Sequence, residues 1–111
     1  MKINSKKIGE VMIMEIEGRL DALTATELED ELCKYINQGE TKVVFDLGEL
    51  EYISSAGLRA ILFCAKKLKG SDGAIAFAGI TGMISEVFEI SGFGTMFNIY
   101  NSALTAVEKI S

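Results

Sequence analysis

The most informative part of the chain reads Asp46-Leu47-Gly48-Glu49-Leu50-Glu51-Tyr52-Ile53-Ser54-Ser55-Ala56-Gly57-Leu58-Arg59. It begins at the end of Lys42–Leu47, an apolar run with β-branched residues that predicts a strand. Apolar residues then recur at helical spacing over Ser55–Lys69, which predicts a helix. We interpret Gly48–Ser54 as a seven-residue connection between the two elements. Two serines therefore stand at a helix start, where a side-chain oxygen can accept a hydrogen bond from an unpaired backbone N–H.

Gly57 lies one turn inside this predicted helix. A glycine in a helix interior costs about 1 kcal/mol relative to alanine. Its presence predicts that a neighbouring loop, or a partner, approaches the helix closely at this point.

Outward from this stretch, strand-like and helix-like patterns alternate along the chain. The predicted strands are a short edge strand near Ile3, Val11–Ile16, Lys42–Leu47, Ala74–Ala78 and Phe97–Tyr100. The predicted helices begin at Thr24, Ser55, Met83 and Ser102. This order predicts an α/β fold: a mainly parallel sheet of about four to five strands, with an N-terminal edge hairpin and about four flanking helices. We expect a single domain over residues 1–111.

Several local features predict caps, turns and core residues. Thr24 followed by Glu27 is a capping-box pattern at the first helix. Ser91–Gly94 is predicted to be a turn. The residues expected in the core include Phe93, Met12, Met14, Met83 and Met96, and the last helix carries Leu104.

The composition excludes several classes of function. The chain has a formal net charge of -5, which argues against nucleic-acid binding and against docking on anionic membranes. It has no His, which removes Ser-His-Asp catalysis and His-ligated zinc. Its two cysteines, Cys33 and Cys64, show no metal-site or redox spacing. With no signal peptide and no spanning stretch, we expect a soluble cytoplasmic protein without metal or cofactor.

Three motifs resemble those of the STAS domain family, whose bacterial members include the anti-sigma factor antagonists. Tyr52–Arg59 is similar to the family signature, aromatic–aliphatic–Asp–Ser–x–Gly–Leu. Gly18–Asp21 resembles the Gly-x-Leu-Asp segment that precedes the family's first helix. Ile80–Phe93 resembles its later helix and Gly-Phe turn. The motifs occur in the family's order and cover nearly the whole chain.

The resemblance implies a switch of binding partners. In this family the serine after the signature Asp is phosphorylated by an anti-sigma factor that is also a serine kinase. The unphosphorylated form binds that kinase and frees a sigma factor. The resemblance thus implies that Ser55 is the phosphoacceptor, with Ser54 where the family usually has Asp. The implied partner-binding residues are Asp21, Thr24, Ser54, Ser55, Ala56, Gly57, Leu58 and Arg59. A serine phosphatase is implied as a further partner, and no catalytic residue is implied in this chain.

Other interpretations stay open at this point. Ser54 in place of Asp favours a STAS interaction module that does not depend on phosphorylation, such as a scaffold or sensor subunit. Asp21 and Thr24 also suit a turn and a helix cap, and Arg59 suits a solvated helix face. Asp46 at a strand end invites comparison with a phosphoryl-accepting receiver domain. The acidic pair and the lysine that such a domain needs are not at the matching strand ends.

Overall fold

Strands and helices alternate in the computed structural model, which describes all residues from Met1 to Ser111. In chain order the elements are β1 (Lys2–Ile8), β2 (Val11–Leu20), α1 (Ala25–Asn37), β3 (Lys42–Asp46), β4 (Leu50–Ile53), α2 (Ser55–Gly70), β5 (Ala74–Ala78), α3 (Gly82–Ile90), α4 (Phe93–Met96), β6 (Ile99–Tyr100) and α5 (Ala103–Ile110). No helix is both long enough and apolar enough to cross a membrane.

The strands form one six-stranded sheet in the order β1-β2-β3-β5-β6, with β4 paired to β2. β1 and β2 form an antiparallel hairpin at one edge, and every other pairing is parallel. The crossover helices of such parallel connections pack on the faces of the sheet. The predicted α/β fold, with its parallel sheet and edge hairpin, is confirmed. The protein has six strands and five helices, whereas the sequence predicted at most about five strands and about four helices.

The extra strand is β4, so Gly48–Ser54 is not the simple connection that the sequence predicted. β2 continues to Leu20 instead of ending at Ile16, and its far end offers an edge to which β4 adds. The register shifts between Gly18 and Arg19, where Gly18 has a φ of 91° that glycine adopts readily. β4 is anchored because its first and last residues are buried.

The core has two layers because successive strand residues point to opposite faces. On one face, α1, α2 and α3 cover a cluster of buried residues that includes Met14, Phe45 and Phe77. On the other face, α5 alone covers a smaller cluster around Val11 and Val44. The helix stripes that carry the larger cluster include Leu28, Leu32, Ile61, Leu68, Ile84 and Phe88.

The C-terminal part departs from the prediction in two ways. The predicted turn Ser91–Gly94 contains the start of α4, and the last strand shortens to Ile99–Tyr100. Gly92, with a φ of 82°, reverses the chain ahead of α4, and Phe93 is buried as predicted. Two residues that we expected in the core, Met83 and Met96, are exposed instead, and so is Leu104 on α5. They occupy helix faces that no other element covers, whereas Met12 and Met14 lie on a central strand.

Candidate functional site

The start of α2 lies directly against the end of β2. β4 pairs with β2 so that Ile53 stands beside Leu20. One residue later, the Ser54 backbone N–H donates to the Leu20 carbonyl oxygen at 3.0 Å. This bond brings the first turn of α2 next to the Asp21–Thr24 turn, which follows Leu20 in the chain.

Gly57 makes this approach possible. A Cβ built on Gly57 would lie 2.5 Å from the Leu20 carbonyl oxygen and 2.9 Å from Cγ1 of Ile53. Both distances are shorter than real Cβ contacts allow, so only glycine fits without a shift of the backbone. The close approach that the sequence predicted at Gly57 therefore comes from β2 and β4 of the same chain.

The two serines at the start of α2 have different environments. The Ser54 hydroxyl caps the helix by accepting from the Gly57 N–H at 3.2 Å, and Ser54 is half-buried. Ser55 is exposed, and its hydroxyl has no hydrogen-bond partner in the protein. The backbone N–H groups of Ser55 and Ala56 also have no acceptor in the protein. The first turn of α2 thus presents a free hydroxyl and two free donors, with no acidic side chain in that turn.

The Asp21–Thr24 turn is held by its own polar groups. Thr24 Oγ1 accepts from the Asp21 N–H at 3.0 Å and donates to the Arg19 carbonyl oxygen at 2.9 Å. Asp21 Oδ1 accepts from the Leu23 N–H at 3.0 Å. The predicted capping box at α1 is wrong, because the Thr24 hydroxyl is engaged in this turn and makes no cap bond to α1. Thr24 instead fixes the loop that faces α2.

Three residues beside this turn were not singled out from the sequence. The Arg19 guanidinium lies over the Tyr52 ring, 4.1 Å from its centroid, and its Nε is 3.7 Å from Asp21 Oδ2. Leu23, at the tip of the turn, is 92% exposed. The sequence did contain a signal for Leu23, because a large apolar residue stands between Asp21 and Thr24 in a segment otherwise suited to a polar turn. The Arg19–Tyr52 contact depends on the register of β2 and β4, which the sequence did not reveal.

The other predicted site residues lie along the first turns of α2. Ala56 and Leu58 are partly buried, and Leu58 packs against the larger core cluster. Gly57 is buried against Leu20 and Ile53, so it is not itself available to a partner. Arg59 is exposed and has no acidic partner. We call the Asp21–Thr24 turn together with Ser54–Arg59 the α2 N-terminal surface; it contains all eight predicted site residues.

Two further groups with chemical potential lie away from this surface. The Asp46 carboxylate turns into the β3–β4 connection, where Oδ1 accepts from the Gly48 N–H at 3.1 Å. Burial raises the pKa of the Cys64 thiol to about 12, and the negative charges of Glu29 and Cys33 add to the effect. Cys64 is therefore a neutral core residue near pH 7 rather than a nucleophile.

Comparisons with known proteins identify the family of this fold. The sequence model of the STAS domain matches residues 2–106. BtrV of Bordetella bronchiseptica, named as an anti-sigma factor antagonist, is 42% identical over 102 residues, covering 92% of this chain and 88% of BtrV. An anti-sigma factor antagonist structure from Thermotoga maritima has a TM-score of 0.91 at 21% identity, covering 97% of this chain and 93% of the other. The Bacillus cell fate determinant SpoIIAA, solved in its phosphorylated form, has a TM-score of 0.76 at 18% identity. The match covers 99% of this chain and 100% of SpoIIAA.

The fold and the α2 N-terminal surface define a mixed α/β domain of the STAS type. Its sheet is mainly parallel, and the strand-to-helix junction at Ser54 lies at the carboxyl end of a strand. The chain belongs to the STAS domain family, and its relatives are anti-sigma factor antagonists.

Proposed function

We propose that this protein is an anti-sigma factor antagonist that works by partner switching. In its unphosphorylated form it binds an anti-sigma factor that is also a serine kinase, and phosphorylation of Ser55 releases that partner. The observation that carries the proposal is the contrast between the two serines. Ser54 is committed to capping α2, whereas Ser55 is exposed with a free hydroxyl.

A phosphate on Ser55 is compatible with the fold. It would add about -1.5 to -2 charge at neutral pH. A helix N-terminus carries a partial positive charge and accommodates anions through its free N–H groups. Here the Ser55 and Ala56 N–H groups have no acceptor, and the first turn has no carboxylate to repel the phosphate. Phosphorylation should therefore leave the domain folded.

The same phosphate is well placed to oppose binding. The α2 N-terminal surface combines the exposed side chain of Leu23 with the polar groups of the adjacent turn. Docking a partner on this surface would remove water from the Ser55 side chain, and a doubly charged group resists that desolvation. A hundredfold loss of affinity requires only about 2.7 kcal/mol. One phosphate at an interface is sufficient for that.

The relatives support a role of this kind. BtrV is similar over most of both chains and carries the name of an anti-sigma factor antagonist. SpoIIAA has been solved both unphosphorylated and phosphorylated, so the same fold accepts a phosphate. By this analogy, our proposal includes a serine phosphatase that regenerates the binding form. The chain itself acts by binding and has no catalytic residue in the mechanism.

The test begins with phosphopeptide and intact-mass analysis of the protein isolated from its own cells. We expect an acid-stable phosphate that is absent from a Ser55→Ala variant. Binding to the anti-sigma factor of the same organism is then measured for wild type, Ser55→Ala and Ser55→Asp. We expect Ser55→Ala to bind like unphosphorylated wild type and Ser55→Asp to bind at least tenfold more weakly.

Ser102→Asp is the matched control for this charge. Ser102 caps α5, which covers the opposite face of the sheet, and aspartate is also a good N-cap residue. The variant places the same charge at a helix N-terminus without touching the α2 N-terminal surface, so its affinity should equal that of wild type. Equal binding by Ser55→Asp and wild type, or a phosphate that persists in Ser55→Ala, would contradict the proposed switch.

A second candidate function is a STAS interaction module that does not use phosphorylation, as a scaffold or sensor subunit. Ser54 favours it, because an uncharged serine caps α2 at the position where the family usually has Asp. This function predicts stable partner binding that is unaffected by both Ser55→Ala and Ser55→Asp. It also predicts no phosphate on the protein under any growth condition.

A further inference from the structure

A groove of about 570 Å³ lies at the amino ends of β5 and β6, beside the second half of α2. It exists because β6 pairs with β5 only at Phe77 and Ala78. The segment that leads into β6, Met96–Asn98, forms one wall of the groove instead of pairing with the first residues of β5. Lys66 is eleven residues beyond Ser55, about 16 Å along the helix axis. The groove is thus separate from the α2 N-terminal surface.

The interior of the groove is mainly apolar. Leu62, Ile75 and Phe97 contribute side chains that are only partly covered by the larger core cluster. Met96 is 57% exposed at the rim and adds an apolar side chain to the groove wall. The volume lies within the range of about 300–1,000 Å³ that is typical of small-molecule sites.

The charge at the rim is positive, although the protein as a whole is acidic with a formal net charge of -5. Lys66 and Lys69 line the groove, are exposed, and have no acidic partner. The neighbouring Lys67 differs, since its ammonium group lies over the Phe63 ring at 5.6 Å and does not line this groove. An apolar floor with two unpaired ammonium groups at its edge is complementary to a molecule with an apolar chain and an anionic head.

We propose that this groove binds a small amphiphilic carboxylate with a flexible alkyl chain. The chain lies along Leu62, Ile75 and Phe97, where its burial supplies most of the binding free energy. The carboxylate lies at the rim between Lys66 and Lys69, whose exposed ammonium groups supply a smaller, salt-sensitive contribution. This binding is independent of the partner switch, because it uses the other end of α2.

The probe is sodium decanoate, titrated below its micellar concentration and followed by two-dimensional amide and methyl NMR. We expect saturable shifts concentrated at the groove residues Leu62, Ile75 and Phe97. Decanol, which has the same chain without the charge, should bind more weakly by about three- to tenfold, and high salt should reduce this difference.

Matched variants separate the two parts of the site. Lys66→Gln with Lys69→Gln should weaken decanoate binding by about three- to tenfold and leave decanol binding unchanged. Lys67→Gln with Lys109→Gln removes the same charge outside the groove and should leave decanoate binding close to that of wild type. All these lysines are exposed, so each variant should fold.

Met96→Gln tests the apolar wall, and Met83→Gln is its control on the exposed face of α3. The Met96 variant should lose affinity for both probes by about fivefold, and the Met83 variant should not. Shifts scattered over exposed apolar residues outside the groove would overturn the proposal. So would equal affinity for decanoate and decanol at low salt, or a groove that ignores decanoate but binds an acidic peptide.

Discussion

Replacing Gly57 by alanine should destabilise the protein, against the usual preference of helices for alanine. In an unobstructed helix the change would gain about 0.5–1 kcal/mol. At Gly57 the added methyl group would lie 2.5 Å from the Leu20 carbonyl oxygen and 3.0 Å from Leu20 Cγ. A backbone oxygen cannot move aside as a flexible side chain can, so α2 or β2 must shift. Forcing a methyl group into a packed site costs about 1–3 kcal/mol. We expect a net loss of about 1–2 kcal/mol in the free energy of unfolding.

Urea denaturation followed by circular dichroism measures this change. With a slope of about 1–3 kcal/mol per molar urea, the midpoint should fall by about 0.3–2 M while the slope stays the same. Gly70→Ala is the matched control, because it lies at the other end of α2 and its added methyl group would meet no atom within 4 Å. That variant should be as stable as wild type or slightly more stable. A Gly57→Ala protein as stable as Gly70→Ala would refute the account of close packing at Leu20.

Three further predictions follow from the hydrogen bonds and burial of individual side chains. Ser54→Ala should lower the unfolding free energy by about 0.5–2 kcal/mol, because it loses the cap bond to the Gly57 N–H. Ser55→Ala should change the unfolding free energy by less than about 0.5 kcal/mol, because Ser55 is exposed. Chemical denaturation of the two variants measures the difference. Thr24→Val keeps the shape but removes the acceptor and donor that hold the neighbouring turn, so it should cost about 1–3 kcal/mol in the same assay. Because burial raises the pKa of Cys64 to about 12, a thiol reagent at pH 8 should label Cys33 much faster. Stability should also fall above about pH 9, where the unfolded thiol ionises but the buried one does not, and Cys64→Ala should reduce this fall.

The alternation of strands and helices could be predicted because each main element has a strong local pattern. In α1, Leu28 and Leu32 follow the helical period and are buried. The strands at the centre of the sheet are continuous apolar runs, as expected for strands covered on both faces. Helices between such strands leave few alternatives to a parallel sheet. These patterns depend on local sequence, so they can be recognised without tertiary information.

β4 and α4 could not be predicted because tertiary contacts create them. β4 is only four residues long, and Leu50–Ile53 has no alternation that distinguishes it from a loop. It becomes a strand because β2 runs past a register shift at Gly18 and presents an unpaired edge. α4 is a single turn after Gly92, which the sequence marks only as a chain reversal. In both cases the deciding interaction is with residues distant in the chain or with a glycine conformation.

The candidate site could be predicted in its residues but not in its geometry, and β4 explains the difference. Motifs identified Asp21 and Ser55, although they are separated by a helix and two strands. What joins them is the pairing of β4 with the end of β2, followed by the Ser54 N–H bond to the Leu20 carbonyl oxygen. That same oxygen is the atom that excludes a side chain at Gly57. One carbonyl group therefore positions the helix that carries Ser55 beside the Asp21–Thr24 turn, and it explains why the motif contains glycine. A substitution that displaces this carbonyl should alter partner binding even when Ser55 itself is intact.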